Sequence, residues 1–357
     1  TRLKSRQVFI HLYSSLWRLR STILQTAYRY MDIAMPIYSQ YQVAMPATYA
    51  YYLLGIEDII AMYQKQLSKI TDMINTSPMG SVCGSGTSFP ITPNITSTLL
   101  GFDSVFNHAL VGVASRDLEL MLLSIGTMVG VTISRVANDY QMWSTQEFGF
   151  FDIPDKLCGI SSTMPQKKNP YLLEKIKGKS ISIMGCMVSA LAIQQKTPFS
   201  NSVEVGTESL YGFYDHFNEL IQSFKLLEVI IMEAIPIQEN MLKSSVEGLS
   251  VATQISEHMT KTLNISYRQA HSIISTKISE SINEKRNPLD SILPNDYQLK
   301  DPHQWHTAFE YGKGPSRNVS EKLLIESISR LSEDSLFFCA ILRKWEIAKN
   351  LLKNFKP

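Results

Sequence analysis

Charge is what this 357-residue chain has least of for its size: Asp, Glu, Lys and Arg make up 18% of it, against about 25% in an ordinary soluble domain. Together with 44% hydrophobic residues, that shortage points to large buried interfaces. The signs nearly cancel, at a net +2, which argues against a nucleic-acid binder or an acidic partner. Cysteine is sparse. Cys83, Cys158, Cys186 and Cys339 are far apart and form no CxxC pair, so neither a disulfide framework nor a zinc site is indicated. Cys158 reads as a small loop hydrophobe. His303 and His306 flank Trp305 without a Cys or carboxylate cluster to complete a metal site, and both read as surface residues. No metal and no cofactor is expected. The glycine-rich stretch 80–88 lacks the GK[ST] ending of a phosphate loop and reads as a turn-rich connector. The most apolar run, 118–136, carries Glu119 and several Ser, Thr and Gly, which suits a buried helix better than a membrane span. Residues 1–20 mix Arg, Lys and Ser with apolar residues, unlike a secretory signal, so a cytoplasmic protein is expected. A first residue other than Met is expected of a fragment.

Helical periodicity dominates what is there. Leu12, Leu16, Leu19, Ile23, Ala27 and Tyr30 fall at steps of three and four on one helical face. The region of Pro36 and Pro46 interrupts that helix, and a second is expected behind Pro46, a residue suited to a first helical position. Leu53, Ile56, Ile60, Tyr63, Leu67, Ile70 and Ile74 form a heptad seam, expected for near-parallel helix packing. Residues 75–93 read as a loop. Further long helices are expected near 115–144, 170–195 and 208–234. Within 170–195, the segment 181–193 is apolar almost all round and is expected to be buried on every side. Strand signals are weak throughout. Behind Pro236 the helices shorten, with loops expected at Asn287-Pro288 and Asp301-Pro302, then a basic amphipathic tail near 327–356. This is an all-α chain: an elongated central five-helix bundle over 1–235 and a smaller C-terminal helical domain over 236–357. His271, four residues after Tyr267 in a helical pattern, reads as a packed or hydrogen-bonded histidine.

The densest chemistry lies in Gly159-Ile160-Ser161-Ser162-Thr163-Met164-Pro165-Gln166-Lys167-Lys168-Asn169-Pro170. Two adjacent hydroxyls, two cations and an amide share a loop broken by prolines. Lys167 or Lys168 can hold a carboxylate, and Asn169 can hydrogen-bond it. A serine beside a cation and backbone N–H groups ionises more easily and can act as a base. Small polar residues and few apolar anchors predict a mobile loop over about 155–168. The bland alternative is a solvated polar loop.

Ser161 to Pro170, read as SSTMPQKKNP, closely resembles the signature loop of the argininosuccinate lyase / fumarase superfamily, roughly G-S-S-x-M-P-x-K-x-N-P. The QKKNP ending is similar to the argininosuccinate lyase branch. Gly86-Thr87-Ser88-Phe89-Pro90-Ile91, Ser115-Arg116-Asp117, the segment from Ser144 to Phe150, and Tyr267-Arg268-Gln269-Ala270-His271 resemble further family segments. The resemblance extends nearly to Leu324. It implies a bundle that pairs into a twenty-helix core in a homotetramer, with active sites shared between subunits. It also implies that the family's N-terminal domain is largely absent from this chain. Family members eliminate an amine or water from a succinyl group, often releasing fumarate, and this branch serves arginine biosynthesis. Residue by residue, the base maps to Ser161, with Ser162 beside it, and the carboxylate grip to Lys167 and Asn169. Ser115 and Arg116 join the substrate site.

The departures are specific. Ile160 stands where the family has glycine. The family segment Tyr-Thr-His-x-Gln is Tyr38-Ser39-Gln40-Tyr41-Gln42 here: Ser39 keeps a hydroxyl, while Gln40 replaces the proton-relaying histidine and does not titrate near neutral pH. The family's G-R-S-R-N-D-Q falls at residues 1–7, with Lys4 for the second arginine and Ser5 for the asparagine. The segment whose tyrosine, glutamine and lysine hold the substrate becomes Phe199, Glu204 and Thr207. A cation is lost and an anion gained, and a buried unpaired charge there is expected to weaken succinyl binding. The expectation is therefore a carbon–nitrogen lyase that releases fumarate from an N-substituted aspartate with altered substrate choice. The alternatives are a genuine argininosuccinate lyase and an inactive structural or regulatory homologue.

Overall fold

The computed structural model describes residues 1–355. It opens with α1 (Arg2–Arg29), whose face of Leu12, Leu16, Leu19, Ile23 and Ala27 is fully buried, as the spacing predicts. Next comes a departure. The residues expected as a break form an antiparallel hairpin, β1 (Ala34–Ser39) and β2 (Gln42–Thr48), with Pro36 opposite Pro46. Neither proline can donate to a ladder, which fits a two-stranded ribbon and not the middle of a sheet. Pro46 therefore lies in a strand. Helix α2 (Tyr49–Lys69) starts behind Thr48, whose hydroxyl accepts from the Tyr51 N–H at 3.1 Å. The heptad seam continues past the end of α2 through Ile70 and Ile74, both buried.

Three more long helices complete the bundle: α3 (Asp117–Trp143), α4 (Tyr171–Gln194) and α5 (Phe213–Glu233). The first two match their expected spans to within two residues. The last begins later, because residues 208–210 form a 3-10 turn and Gly212 takes φ 72°. Gly126 faces Ile183, Gly130 faces Ser180 and Gln141 reaches Glu174, so α3 and α4 run antiparallel. The two backbones nearly touch: a Cβ on Gly130 would lie 2.1 Å from the Ser180 carbonyl oxygen. By length and composition alone, α3 and α4 could each cross a membrane; here both are bundle helices.

The expectation that 181–193 is buried on every side fails within this chain. Ile183, Cys186 and Ala190 enter the core, whereas Met184, Val188 and Leu191 are exposed. The buried face of α4 packs on α3, α5 and the turn at 208–210, and within 181–193 the opposite face is largely apolar and bare.

After α5 the elements shorten: α6 (Gln238–Glu247), α7 (Ala252–Leu263), α8 (Tyr267–Asn283) and α9 (Pro288–Ile292). They enclose a second core of Val251, Ile255, Ile274, Leu289, Ile292, Tyr297 and Trp305. The two X-Pro sites expected as loops start helical turns instead. Asn287 and Asp301 cap them, with Pro in the first turn, where a missing N–H costs nothing. The last helix, α10 (Arg317–Asn354), returns along the bundle. Trp17 donates to the Leu331 carbonyl at 3.0 Å, and Phe338 stacks on Tyr13. At its centre Arg20 and Glu57, both wholly buried, pair at 2.7 Å, and Arg20 also binds Gln64 and Asp334 of α10.

Since Gly130 has no room for a methyl, Gly130→Ala is expected to force α3 and α4 apart and lower the unfolding free energy by about 1–3 kcal/mol. Urea denaturation checks this; an unchanged midpoint would mean that the two backbones are not held together at that point.

Candidate active site

The loop 159–170 is a short hairpin ahead of α4. Its arms, β4 (Gly159–Ile160) and β5 (Lys168–Asn169), form an antiparallel pair placed after β3 (Phe151–Asp152), which itself pairs with β6 (Ile235–Pro236). Ile160, where the family has glycine, is 97% exposed and extended, a conformation that suits a β-branched residue. Ser161 Oγ accepts from the Met164 N–H at 3.0 Å and the Thr163 N–H at 3.4 Å. Two donors aimed at one oxygen favour negative charge on it. The loop also runs into the N-terminus of a 24-residue helix, where unpaired N–H groups favour an anion.

The two lysines differ. Lys168 Nζ binds Asp152 at 2.7 Å and Asp155 at 2.9 Å, and these bonds, that to Asp152 foremost, raise its pKa. Lys167 is exposed and has no ion-pair partner among the described residues. Asn169 donates its amide to the Gly159 carbonyl at 3.3 Å, across the mouth of the hairpin. Ser162 is exposed on the loop.

Ser39 and Gln40 lie at the tip of the β1–β2 hairpin, at the same end of the bundle. Tyr38 anchors them: its hydroxyl meets Ser244 Oγ at 2.8 Å and its ring packs on Phe148 and Phe150. Burial raises the Tyr38 pKa, so the hydroxyl keeps its proton. Gln40 and Tyr41 make the turn with φ 51° and 63°, a two-residue bend that prefers Asn-Gly.

Lys4, Ser115, Arg116 and Glu204 belong to the other end. Arg116 and Ser115 line a cleft of about 230 Å³ with Arg2, Glu119 and Asn201. Lys4 Nζ sits 5.5 Å from the Tyr214 ring. Arg116 donates to the carbonyls of Val113 (3.2 Å) and Ser115 (2.8 Å), while its Nε is buried without a partner. Glu204, expected to be a buried anion, is fully exposed; hydrogen bonds from its own N–H and from the Ser202 hydroxyl hold its carboxyl below the usual range. The 27 residues of α3 separate the two ends by about 40 Å. One chain therefore carries two groups of candidate residues that do not meet.

Three residues at these ends escaped the sequence reading. Glu119 is 97% buried and accepts from Ser5 Oγ at 2.7 Å, tying α1 to α3. Asp152 and Asp155 precede the loop with nothing in their spacing to mark them. Two histidine expectations are corrected. His306 is buried, not at the surface, and desolvation lowers its pKa against the pull of Asp32; His271 is exposed, not packed. A larger cavity of about 680 Å³, lined by Arg29, Asp32, Gln238 and Arg317 among others, contains none of the candidate residues. The four cysteines are free, and no metal-binding cluster exists among the described residues.

Residues 2–185 match a family model described as Lyase. The chain belongs to that lyase family, as a divergent member of the argininosuccinate lyase / fumarase / aspartase superfamily. It is 30% identical over 287 residues to "Argininosuccinate lyase 1" of Shouchella clausii, covering 80% of this chain and 57% of that protein. It is 32% identical over 276 residues to the argininosuccinate lyase of Methanocorpusculum labreanum, covering 76% and 55%. The chain thus spans little more than half of these relatives. Among solved structures, EDDS lyase in complex with formate superposes at a TM-score of 0.90 with 22% identity, over 99% of this chain and 74% of that one. The 3-carboxy-cis,cis-muconate lactonizing enzyme of Pseudomonas putida gives 0.73 with 15% identity, over 94% and 74%. These likenesses show the fold.

Two substitutions check the local geometry. Tyr41→Gly relieves a left-handed residue and is expected to stabilise the chain by about 1 kcal/mol. Glu204→Gln removes an exposed charge and is expected to shift stability by less than about 0.5 kcal/mol. Thermal melts of both variants read these values; a large loss in Glu204→Gln would mean that its carboxylate is structurally paired.

Proposed function

We propose that the chain is the bundle portion of a carbon–nitrogen lyase that releases fumarate from an N-substituted aspartate. The observation that carries this reading is the state of the signature loop: Lys167 unpaired, Ser161 Oγ facing two backbone donors, and a helix N-terminus behind both. Ser161 takes the proton from the substrate Cβ, and that electron pair becomes the carbon–carbon double bond. The Cα–N bond breaks, and the nitrogen leaves with its electrons. Lys167 and Asn169 hold the carboxylate next to Cβ as negative charge moves onto it. Gln40 can donate a hydrogen bond but cannot protonate the leaving nitrogen. That proton comes from water, from the substrate or from another side chain. The relatives named argininosuccinate lyase support the carbon–nitrogen class. Gln40, Phe199, Glu204 and Thr207 support a leaving amine other than arginine.

The site needs more than one chain. With Ser39, Gln40 and the signature loop at one end, and Lys4, Ser115 and Arg116 at the other, antiparallel neighbours would bring opposite ends together. The bare apolar face of α4 supplies a contact for such a neighbour, and a homotetramer is the assembly we favour. Sedimentation at micromolar concentration is expected to give a tetramer; a well-folded monomer would remove the basis for a shared site.

Turnover is tested by following fumarate release from argininosuccinate, adenylosuccinate, aspartate and a panel of N-substituted aspartates. Ser161→Ala is expected to abolish release and leave the melting temperature nearly unchanged, because the hydrogen bonds its hydroxyl accepts lie within the exposed loop. Gln40→His restores a titratable group and is expected to raise the rate or leave it unaltered. No fumarate from the wild type, from Gln40→His or from Glu204→Gln with Thr207→Lys would favour a non-catalytic homologue, the reading that the missing histidine supports.

A further inference from the structure

The loop 159–170 lacks apolar anchorage: Ile160 and Met164 are exposed, and residues 162–167 are all at the surface. Its ties are few. The β4–β5 pairing closes its mouth, Asn169 bridges to Gly159, and Lys168 crosses to Asp152 and Asp155. The two carboxylates, by contrast, stand on fixed ground. Phe151, beside Asp152, is buried against Tyr49, Tyr140 and Trp143. Asp155 opens a 3-10 turn (Asp155–Leu157) in which Leu157 is buried and Lys156 binds Glu233 of α5 at 2.8 Å.

We propose that Asp152, Lys168 and Asp155 form a latch that sets the geometry of the signature loop, making the two carboxylates positioning residues for Ser161 and Lys167. The inference rests on the lyase reading for its catalytic half, while the latch itself stands on the geometry. Lys168 adjoins Lys167, so fixing its ammonium group between two carboxylates fixes the direction in which the neighbouring side chain leaves the backbone. It also leaves one lysine of the pair neutralised and one able to meet a substrate carboxylate. Lys168 is 38% exposed and Asp155 93%, so each pair contributes modestly and the latch can open.

Hydrogen exchange of the full chain at residues 159–168 tests it, alongside the kcat of fumarate release. Lys168→Met is expected to speed exchange there roughly threefold to tenfold, the range of two exposed ion pairs, and to lower kcat by a similar factor. Lys168→Arg keeps both values near wild type. The charge-swapped pair Asp152→Lys with Lys168→Asp, made together with Asp155→Asn to remove the repulsion, restores part of the protection, which a merely structural role for the lysine stem would not produce. Exchange unchanged in Lys168→Met overturns the latch. Faster exchange with unaltered kcat overturns its positioning role. If neither the wild type nor the Gln40→His and Glu204→Gln/Thr207→Lys variants release fumarate, the lyase reading fails on its own, and the exchange measurement alone decides the latch.

Discussion

Gly130 presses its bare Cα against the carbonyl oxygen of Ser180, and Gly126 lets Ile183 and Phe217 close in four residues earlier. These contacts join α3 and α4 along their length and fix them antiparallel. Everything chemical follows from that alignment. The signature loop feeds the start of α4 at the end where α3 finishes, while Ser115 and Arg116 sit where α3 begins. Two rigid helices packed backbone to backbone cannot bring those ends together. The candidate site is therefore divided by the same contact that builds the bundle, and the chemistry is pushed onto whatever meets each end from outside.

The bundle's other commitment is a buried charge. Arg20 and Glu57 are both sealed from water, and Gln64, Asp334 and Arg330 extend the network from α1 through α2 to α10. Desolvating both ions offsets most of their attraction, so the pair adds little net stability over a well-packed apolar pair. The buried pair joins α1 to α2, and Asp334 and Arg330 add partly exposed contacts from α10. The helix expected from sequence as a basic amphipathic tail is held along the bundle by those contacts, together with Trp17 and Phe338.

How much could be read beforehand differs between elements for physical reasons. The long helices were legible because prolines, serines and glycines mark their ends and their apolar steps persist over many turns. The all-α class followed. The hairpin at 34–48 was not legible: two prolines in a short segment signal a break, and nothing local announces that they will face each other across a ribbon. The bare face of α4 could not be told from its buried face, because hydrophobicity counts what a side chain prefers and is silent on whether its neighbour comes from the same chain. For the site, the loop could be named to the residue, since its chemistry is local. Its tethers could not. Lys168 meets Asp152 and Asp155 by side-chain ion pairs 16 and 13 residues back in the chain, which leaves no periodic trace. Glu204 is open to solvent in the single chain, which could not be foreseen because charge is visible in a sequence but solvent access is not.

The second core has seven buried side chains, and its turn at Pro302–Ala308 packs on the β1–β2 hairpin. A nucleus that small holds its surroundings less firmly than the large core holds the long helices. Local opening is therefore expected to cost less around Val251 to Trp305 than along the long helices, so amide exchange should reach the short helices first.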